Sequence, residues 1–277
     1  MLTAPILFGL LSALTWGAGD FNGGLAAKRS NPYGVVAVAH VISLGLLLLL
    51  IPFVGEPIPP LRDWLWGGAA GFTGAIGLLL LYRSLAEGRM SVAAPVSALL
   101  AAAMPVAIGI FMDGNPGAWA LLGFILALAA VWLVSGGEGL TLRFDELRQP
   151  AIAGIAFGTF FICLERASQT SLLWPLVAIR VVSIASMLSY ALLTRQAWIP
   201  KRESLVPIIL SSILDTIGNA AYALSARTGR LDVAAVLGSL YPGATVLLAW
   251  IFLKEHIARV QTIGILLALA AIVMLSI

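Results

Sequence analysis

Apolar runs about twenty residues long follow one another along this chain, with short polar breaks between them. The first extends from Thr3 to about Ala27 and stops at Lys28-Arg29; the second covers Pro32 to about Phe53. After a proline-rich break, GEPIPPLRD, further runs cover Trp64 to Ala86, Ser91 to Met112 and Ala118 to Ser135. The polar stretch GGEGLTLRFDELRQP, the longest break, separates these from five more runs. Those cover Ala151 to Ser168, Ser171 to Thr194, Leu205 to Ala226, Asp232 to Leu253 and Val260 to Ile277. A helix crosses a bilayer in roughly 20 residues at about 1.5 Å each, so each run predicts one span. Short breaks make consecutive helices antiparallel neighbours.

Composition agrees with the pattern. Of 277 residues, 60% are hydrophobic and only 10% charged, against about 25% charged in soluble domains. Too few polar groups are present to cover a soluble surface, and an all-α integral membrane protein in contact with the lipid bilayer is expected. The first run is long enough to span and lacks the small-residue cleavage site of a leader. A net charge of +3, spread along the chain, gives no reason to expect nucleic acid as a partner. The single cysteine, Cys163, and two well-separated histidines, His40 and His256, provide no disulfide framework and no metal-ligand spacing. No cofactor or metal is expected. No G-x-x-x-x-G-K-[ST] loop is present to bind a nucleotide.

The long central break prompts a search for repetition. Displaced by about 141 residues, GRMSVAAPVSALL falls over GRLDVAAVLGSLY, and GFILALAAVWLVS over GILLALAAIVMLS. Trp16-Gly17 falls over Phe157-Gly158. The chain reads as a repeat at 1–137, a connector at 138–149 and a second repeat at 150–277. Five helices per repeat is an odd number, so the second repeat enters the membrane inverted. About ten spans in two inverted five-helix repeats around a central cavity is an arrangement common among secondary transporters.

ALTWGAGDF resembles the first-helix Trp-Gly motif of the EamA-type transporters of the drug/metabolite transporter superfamily. LYPGATVLLAWIFLKEHIARVQTIGILLALAAI resembles that family's last two helices, with Pro242, then Glu255, then Gly264. YALSARTGRLDVAA is similar to the connection before them. The first repeat departs from this pattern: Ala101 stands where Pro242 falls, Gly114 where Glu255 falls, and Pro105 and Asp113 lie shifted nearby. The resemblance implies a carrier of the bacterial inner membrane, with ten helices around a cavity. Family substrates range over amino acids, sugars, nucleobases, vitamins and drugs.

Polar residues deep in the runs are the candidate site. Asp20 lies about eight residues, roughly 12 Å, from the end of its helix. An acid at mid-helix costs about 2.5–3.5 kcal/mol on insertion, so it needs a partner, a cavity or a proton. A bland reading has it bonded to backbone unwound around Gly17, Gly19, Gly23 and Gly24. Ser211, Asp215, Asn219 and Tyr222 recur on one face of the eighth run, as Ser12, Trp16 and Asp20 do in the first. Such stripes face a wet cavity or glue helices together. Arg180 keeps its charge and requires a carboxylate, for which Asp20 and Asp215 are the deep candidates, or an anionic substrate group. His40, near the repeat-equivalent of Arg180, titrates near neutrality. Tyr82 and Tyr222 are near-equivalents.

Arg83-Glu87-Arg89, Glu165-Arg166 and Lys254-Glu255 sit at helix ends and read as interfacial charges, as gates or, preferably, as solvated helix ends. The third-run glycines Gly67, Gly71, Gly74 and Gly77 read as packing faces. Lys28, Arg29, Arg89, Arg143, Arg148, Arg195, Lys201 and Arg202 follow odd-numbered runs. The positive-inside rule then places those loops in the cytoplasm and both termini outside.

The expected lining of a substrate-binding cavity is Trp16, Asp20, His40, Tyr82, Arg180, Asp215, Asn219 and Tyr222. Two acids and one fixed cation leave one carboxylate free to carry a proton. The expectation is a secondary transporter, not an enzyme, exporting a small amino acid-like, polar or amphipathic metabolite with protons as coupling ion. It would act as monomer or homodimer. The alternative is a membrane-embedded scaffold without transport activity, whose polar stripes would close on each other and leave no cavity.

Overall fold

The structure is a computed structural model that describes residues 4–86, 90–134, 144–195, 198–253 and 258–275. The charged residues Glu87, Arg89, Lys254 and Glu255, His256 and the stretch 135–143 lie outside them. The described residues form α1 (Ala4–Ala27), α2 (Pro32–Val54), α3 (Leu61–Ala86), α4 (Met90–Asp113), α5 (Ala118–Val134), α6 (Phe144–Ala167), α7 (Leu173–Leu193), α8 (Leu205–Thr228), α9 (Leu231–Gly238), α10 (Tyr241–Leu253) and α11 (Arg259–Leu275). Seven stretches are long and apolar enough to cross a membrane, the last of them, Leu231–Phe252, running across α9 and α10. Ser97–Met112, Ala118–Val134 and Arg259–Leu275 are shorter apolar helices.

The expected single helix from Asp232 to Leu253 is broken at Ser239–Leu240. Pro242 has no N–H to donate to the carbonyl four residues back, and its ring collides with that carbonyl. It is accommodated in the first turn of a new helix, α10. Ala101 occupies the corresponding place in α4, which runs unbroken from Met90 to Asp113.

Burial is inverted relative to a soluble protein. Ser12, Ser43, Ser183, Ser211, His40, Arg180 and Asn219 are buried, whereas Phe111 is 90% exposed and Leu193 84%. Large apolar side chains turned outward in such numbers suit hydrocarbon and not water. This is a multi-pass membrane protein.

The packing follows the repeat. α1 lies along α8, and α6, its counterpart, lies along α3. α1 also meets α9 and α10, as α6 meets α4. α2 packs on α7 and α5 on α11, each a pair of counterparts. The correspondence holds residue by residue. Trp16 of α1 lies against Gly218 of α8, and Phe157 of α6 against Gly77 of α3. Gly17 lies against Tyr241, Ala244 and Thr245, and Gly158 against Ala101 and Met104. Small residues at these four crossings let the helices approach closely. The α3 glycines act as expected: Gly67 and Gly71 meet α7, and Gly74 and Gly77 meet α6.

Counterpart turns sit at opposite ends of the bundle. In the α1–α2 turn, Ser30 shares a hydrogen bond with Ser204 at 2.9 Å and accepts one from the Lys201 N–H at 2.9 Å. At the other end Gly55 closes α2 in the left-handed region, φ 67°, where its N–H donates to Ile51. The chain then brings Glu56 to the start of α7, where its Oε2 accepts from the Leu172 and Leu173 N–H groups at 3.0 and 2.7 Å. Those donors are orphans of the α7 N-terminus, and a carboxylate there also suits the helix dipole. Glu56→Ala is expected to cost about 1–2 kcal/mol. The check is thermal unfolding of the purified variant, with Glu56→Gln recovering part of the loss through its amide oxygen.

Candidate functional site

Where the two halves meet, the structure encloses a cavity of about 520 Å³, open mouth included. Six of the eight expected residues line it: Trp16 and Asp20 from α1, His40 from α2, Arg180 from α7, and Asp215 and Asn219 from α8. Tyr82 and Tyr222 stand behind the wall. Tyr82 shares a hydrogen bond with Ser211 at 3.2 Å and also interacts with Asp20. Tyr222 stacks under Phe161 at 4.7 Å.

Asp20 sits on an intact helix, since α1 is continuous from Ala4 to Ala27. The glycines around it serve close approach and not unwinding. Gly17 faces α10, Gly19 faces the backbone of Ser211 and Asp215, and Gly23 leaves room for the Tyr82 ring. Gly19 thereby holds the two acids at one level of the bundle.

Arg180 has chosen between them. Its Nη2 donates to Asp215 Oδ2 at 2.5 Å, with the side chains 2% and 20% exposed. Its Nε donates to Ser43 at 2.8 Å, and Ser43 shares a hydrogen bond with Thr216 at 2.5 Å. The same Asp215 oxygen accepts from Asn219 Nδ2 at 3.2 Å, and Asn219 Oδ1 accepts from the Trp16 indole at 2.9 Å. One connected network thus runs from α7 through α8 to α1. The buried guanidinium is tolerated because it meets a carboxylate through Nη2 and a hydroxyl through Nε. Among the described residues, no Lys, Arg or His lies within ion-pair distance of Asp20.

α2 and α7 cross with a reciprocal exchange. His40 Nδ1 meets Ser183 at 2.6 Å, while Arg180 meets Ser43. Each serine stands three residues after the other helix's partner, one turn along the same face. The sequence carried this signal as His-x-x-Ser and Arg-x-x-Ser, and neither serine was singled out. The aromatic wall was also missed. Phe157, Phe160 and Phe161 of α6 and Tyr241 of α10 line the cavity. Trp16 and Phe161 stack at 5.2 Å, 11° from parallel. In sequence these rings are indistinguishable from lipid-facing ones.

The comparisons with known proteins bear on the whole chain. A solved crystal structure shares the fold over 99% of this chain and 96% of its own, with a TM-score of 0.83 at 14% sequence identity. An uncharacterised protein of Methanocaldococcus jannaschii is 30% identical over 120 residues, 43% of this chain and 86% of that one. The sequence pattern of the EamA-like transporter family matches twice, at residues 3–136 and again at 151–277. With its motif present in both halves, and helix contacts that repeat with it, the chain belongs to the EamA-like transporter family of membrane proteins.

Proposed function

We propose that this protein is a secondary carrier of the inner membrane that exports a small polar or amphipathic metabolite by alternating access, with protons as the coupling ion. The observation that carries this reading is the cavity of about 520 Å³ at the junction of the two halves, with Asp20 in its wall and no cation beside it among the described residues. A scaffold would have no use for such a space, and its polar stripes would close on each other.

The units are two inverted five-helix repeats, residues 1–137 and 150–277, joined by the connector 138–149. Support for inversion comes from the Ser30–Ser204 contact at one end and the Glu56 cap of α7 at the other, because the α1–α2 turn lies at the first and its counterpart, the α6–α7 turn, at the second. Each end is held by a few hydrogen bonds. That leaves the halves free to rock about the α2–α7 crossing, opening one mouth as the other closes. Broken helices at transporter sites supply irregular backbone that can rearrange, and the α9–α10 break at Ser239–Leu240 fits that role.

Asp20 is the proton carrier in this scheme. Arg180 and Asn219 occupy Asp215, which leaves Asp20, with no cation paired to it among the described residues, as the acid to take a proton at one mouth and release it at the other. Asp20→Asn is expected to abolish solute accumulation driven by a pH gradient in proteoliposomes, whereas Asp20→Glu, which keeps a carboxyl able to exchange a proton, retains it. An Asp20→Asn variant that still accumulates solute against its gradient overturns the proton role.

A further inference from the structure

The charges and rings of the cavity bear on what it holds. Its lining contains two carboxylates and one guanidinium, a formal excess of one negative charge. The guanidinium is committed to Asp215 and Ser43, so a carboxylate ligand would have to displace Asp215. Asp20 is the charge left over. It is faced by Asp215 from α8, Tyr82 from α3 and Tyr241 from α10. His40 from α2 and Arg180 from α7 share its cavity.

We propose that the ligand is an organic ammonium ion with an aromatic or similarly flat apolar body, its charge set against Asp20 and its body against the aromatic wall. The proposal rests on the reading of the cavity as a transport site. Trp16 stands one turn before Asp20, so ring and carboxylate share a helix face. The Trp16 indole N–H is taken by Asn219 and the ring is stacked on Phe161, which fixes an aromatic surface beside the acid. Aromatic faces attract ammonium ions, by about 2 kcal/mol or more once water is removed. A metal ion is disfavoured. Divalent cations want about six oxygen donors, and no group of three or more His, Cys, Asp or Glu forms such a cage among the described residues. A free amino acid carries a carboxylate, and the one guanidinium in the lining is already paired with Asp215.

The test is equilibrium binding of radiolabelled phenethylamine to the full chain in nanodiscs at pH 8, with two competitors of the same body. Phenethyl alcohol lacks the charge, and phenylalanine adds a carboxylate. Saturable binding that unlabelled phenethylamine displaces, and that the other two displace at least tenfold less well, supports the proposal. Asp20→Asn should weaken binding tenfold or more and Asp20→Glu should retain most of it. If Asp20→Asn does not fold, the competition on the unaltered protein decides. No saturable binding, or equal displacement by the alcohol or by phenylalanine, overturns it. Uptake of the same amine into proteoliposomes separates the two readings. Binding without uptake sinks transport and keeps the ligand class. Uptake of other solutes by a protein that ignores phenethylamine does the reverse.

Discussion

Arg180→Ala is expected to destabilise the folded protein by about 3–5 kcal/mol, the usual consequence of leaving a buried carboxylate without its partner. The substitution removes the 2.5 Å contact to Asp215 and the 2.8 Å contact to Ser43 together. Asp215, its side chain 20% exposed, is then left with Asn219 as its hydrogen-bond partner. The second substitution makes this specific to the pair: Arg180→Ala with Asp215→Asn should recover much of the loss, since no unpaired charge then remains. Arg180→Lys should fall between, keeping the charge but losing the fork that reaches Asp215 and Ser43 at once. Thermal denaturation in nanodiscs measures all three. Equal instability of the single and double variants would mean that Arg180 acts through packing and not through charge.

Gly17→Ala is expected to cost about 1–3 kcal/mol, the range for forcing a carbon into a packed contact. The added carbon would fall on the backbone carbonyl of Tyr241, 2.6 Å from Ala244 Cβ and 3.1 Å from the Thr245 nitrogen. Backbone cannot step aside, so α1 and α10 must separate. The bond from Thr245 Oγ1 to the Gly17 carbonyl, 3.0 Å, would stretch with them. Gly158→Ala provides the comparison. It is the counterpart position, but the new carbon would meet Met104 Cβ and Sδ at 3.1 Å and the Ala101 carbonyl oxygen at 3.3 Å, contacts that a shift of a few tenths of an ångström relieves. That variant should lose less than half as much, read as the shift in melting temperature of the two proteins side by side. Equal losses would show that the two crossings are equally rigid.

These two expectations depend on different kinds of information, and the sequence contained only one of them. The Trp16-Gly17 and Phe157-Gly158 pairs were readable as counterparts, because a repeated helix crossing needs a small residue at the same place in each copy. The length and apolarity of the runs, and the outward turn of residues such as Phe111, follow from lipid as the solvent. The helix break at Ser239–Leu240 was within reach of the sequence, since Pro242 stands where the first repeat has Ala101. An apolar run of spanning length nonetheless reads as one helix, which hides the break.

The site divides along the same line. Asp20, Asp215, Arg180 and His40 stand out in apolar runs because each is costly there. Ser43 and Ser183 do not, since a serine can satisfy itself on its own helix. Their value arises only where α2 crosses α7. Sequence spacing placed Trp16 and Asp20 on one face but gave no reason to put Tyr82 behind that face, where the missing Cβ of Gly23 admits its ring.

The chain's own pattern therefore determined the membrane class, the helices, the two-copy plan and the list of deep charges, all of which depend on local composition and period. The tertiary structure alone decided that Arg180 belongs to Asp215 and that Asp20 faces the cavity without a fixed cation among the described residues. Both acids lie deep in their helices, and depth in a helix does not choose between them as the partner of Arg180. What separates them is the crossing of α7 with α2 and α8, which brings one carboxylate oxygen within 2.5 Å of the guanidinium and leaves the other to the space between the halves.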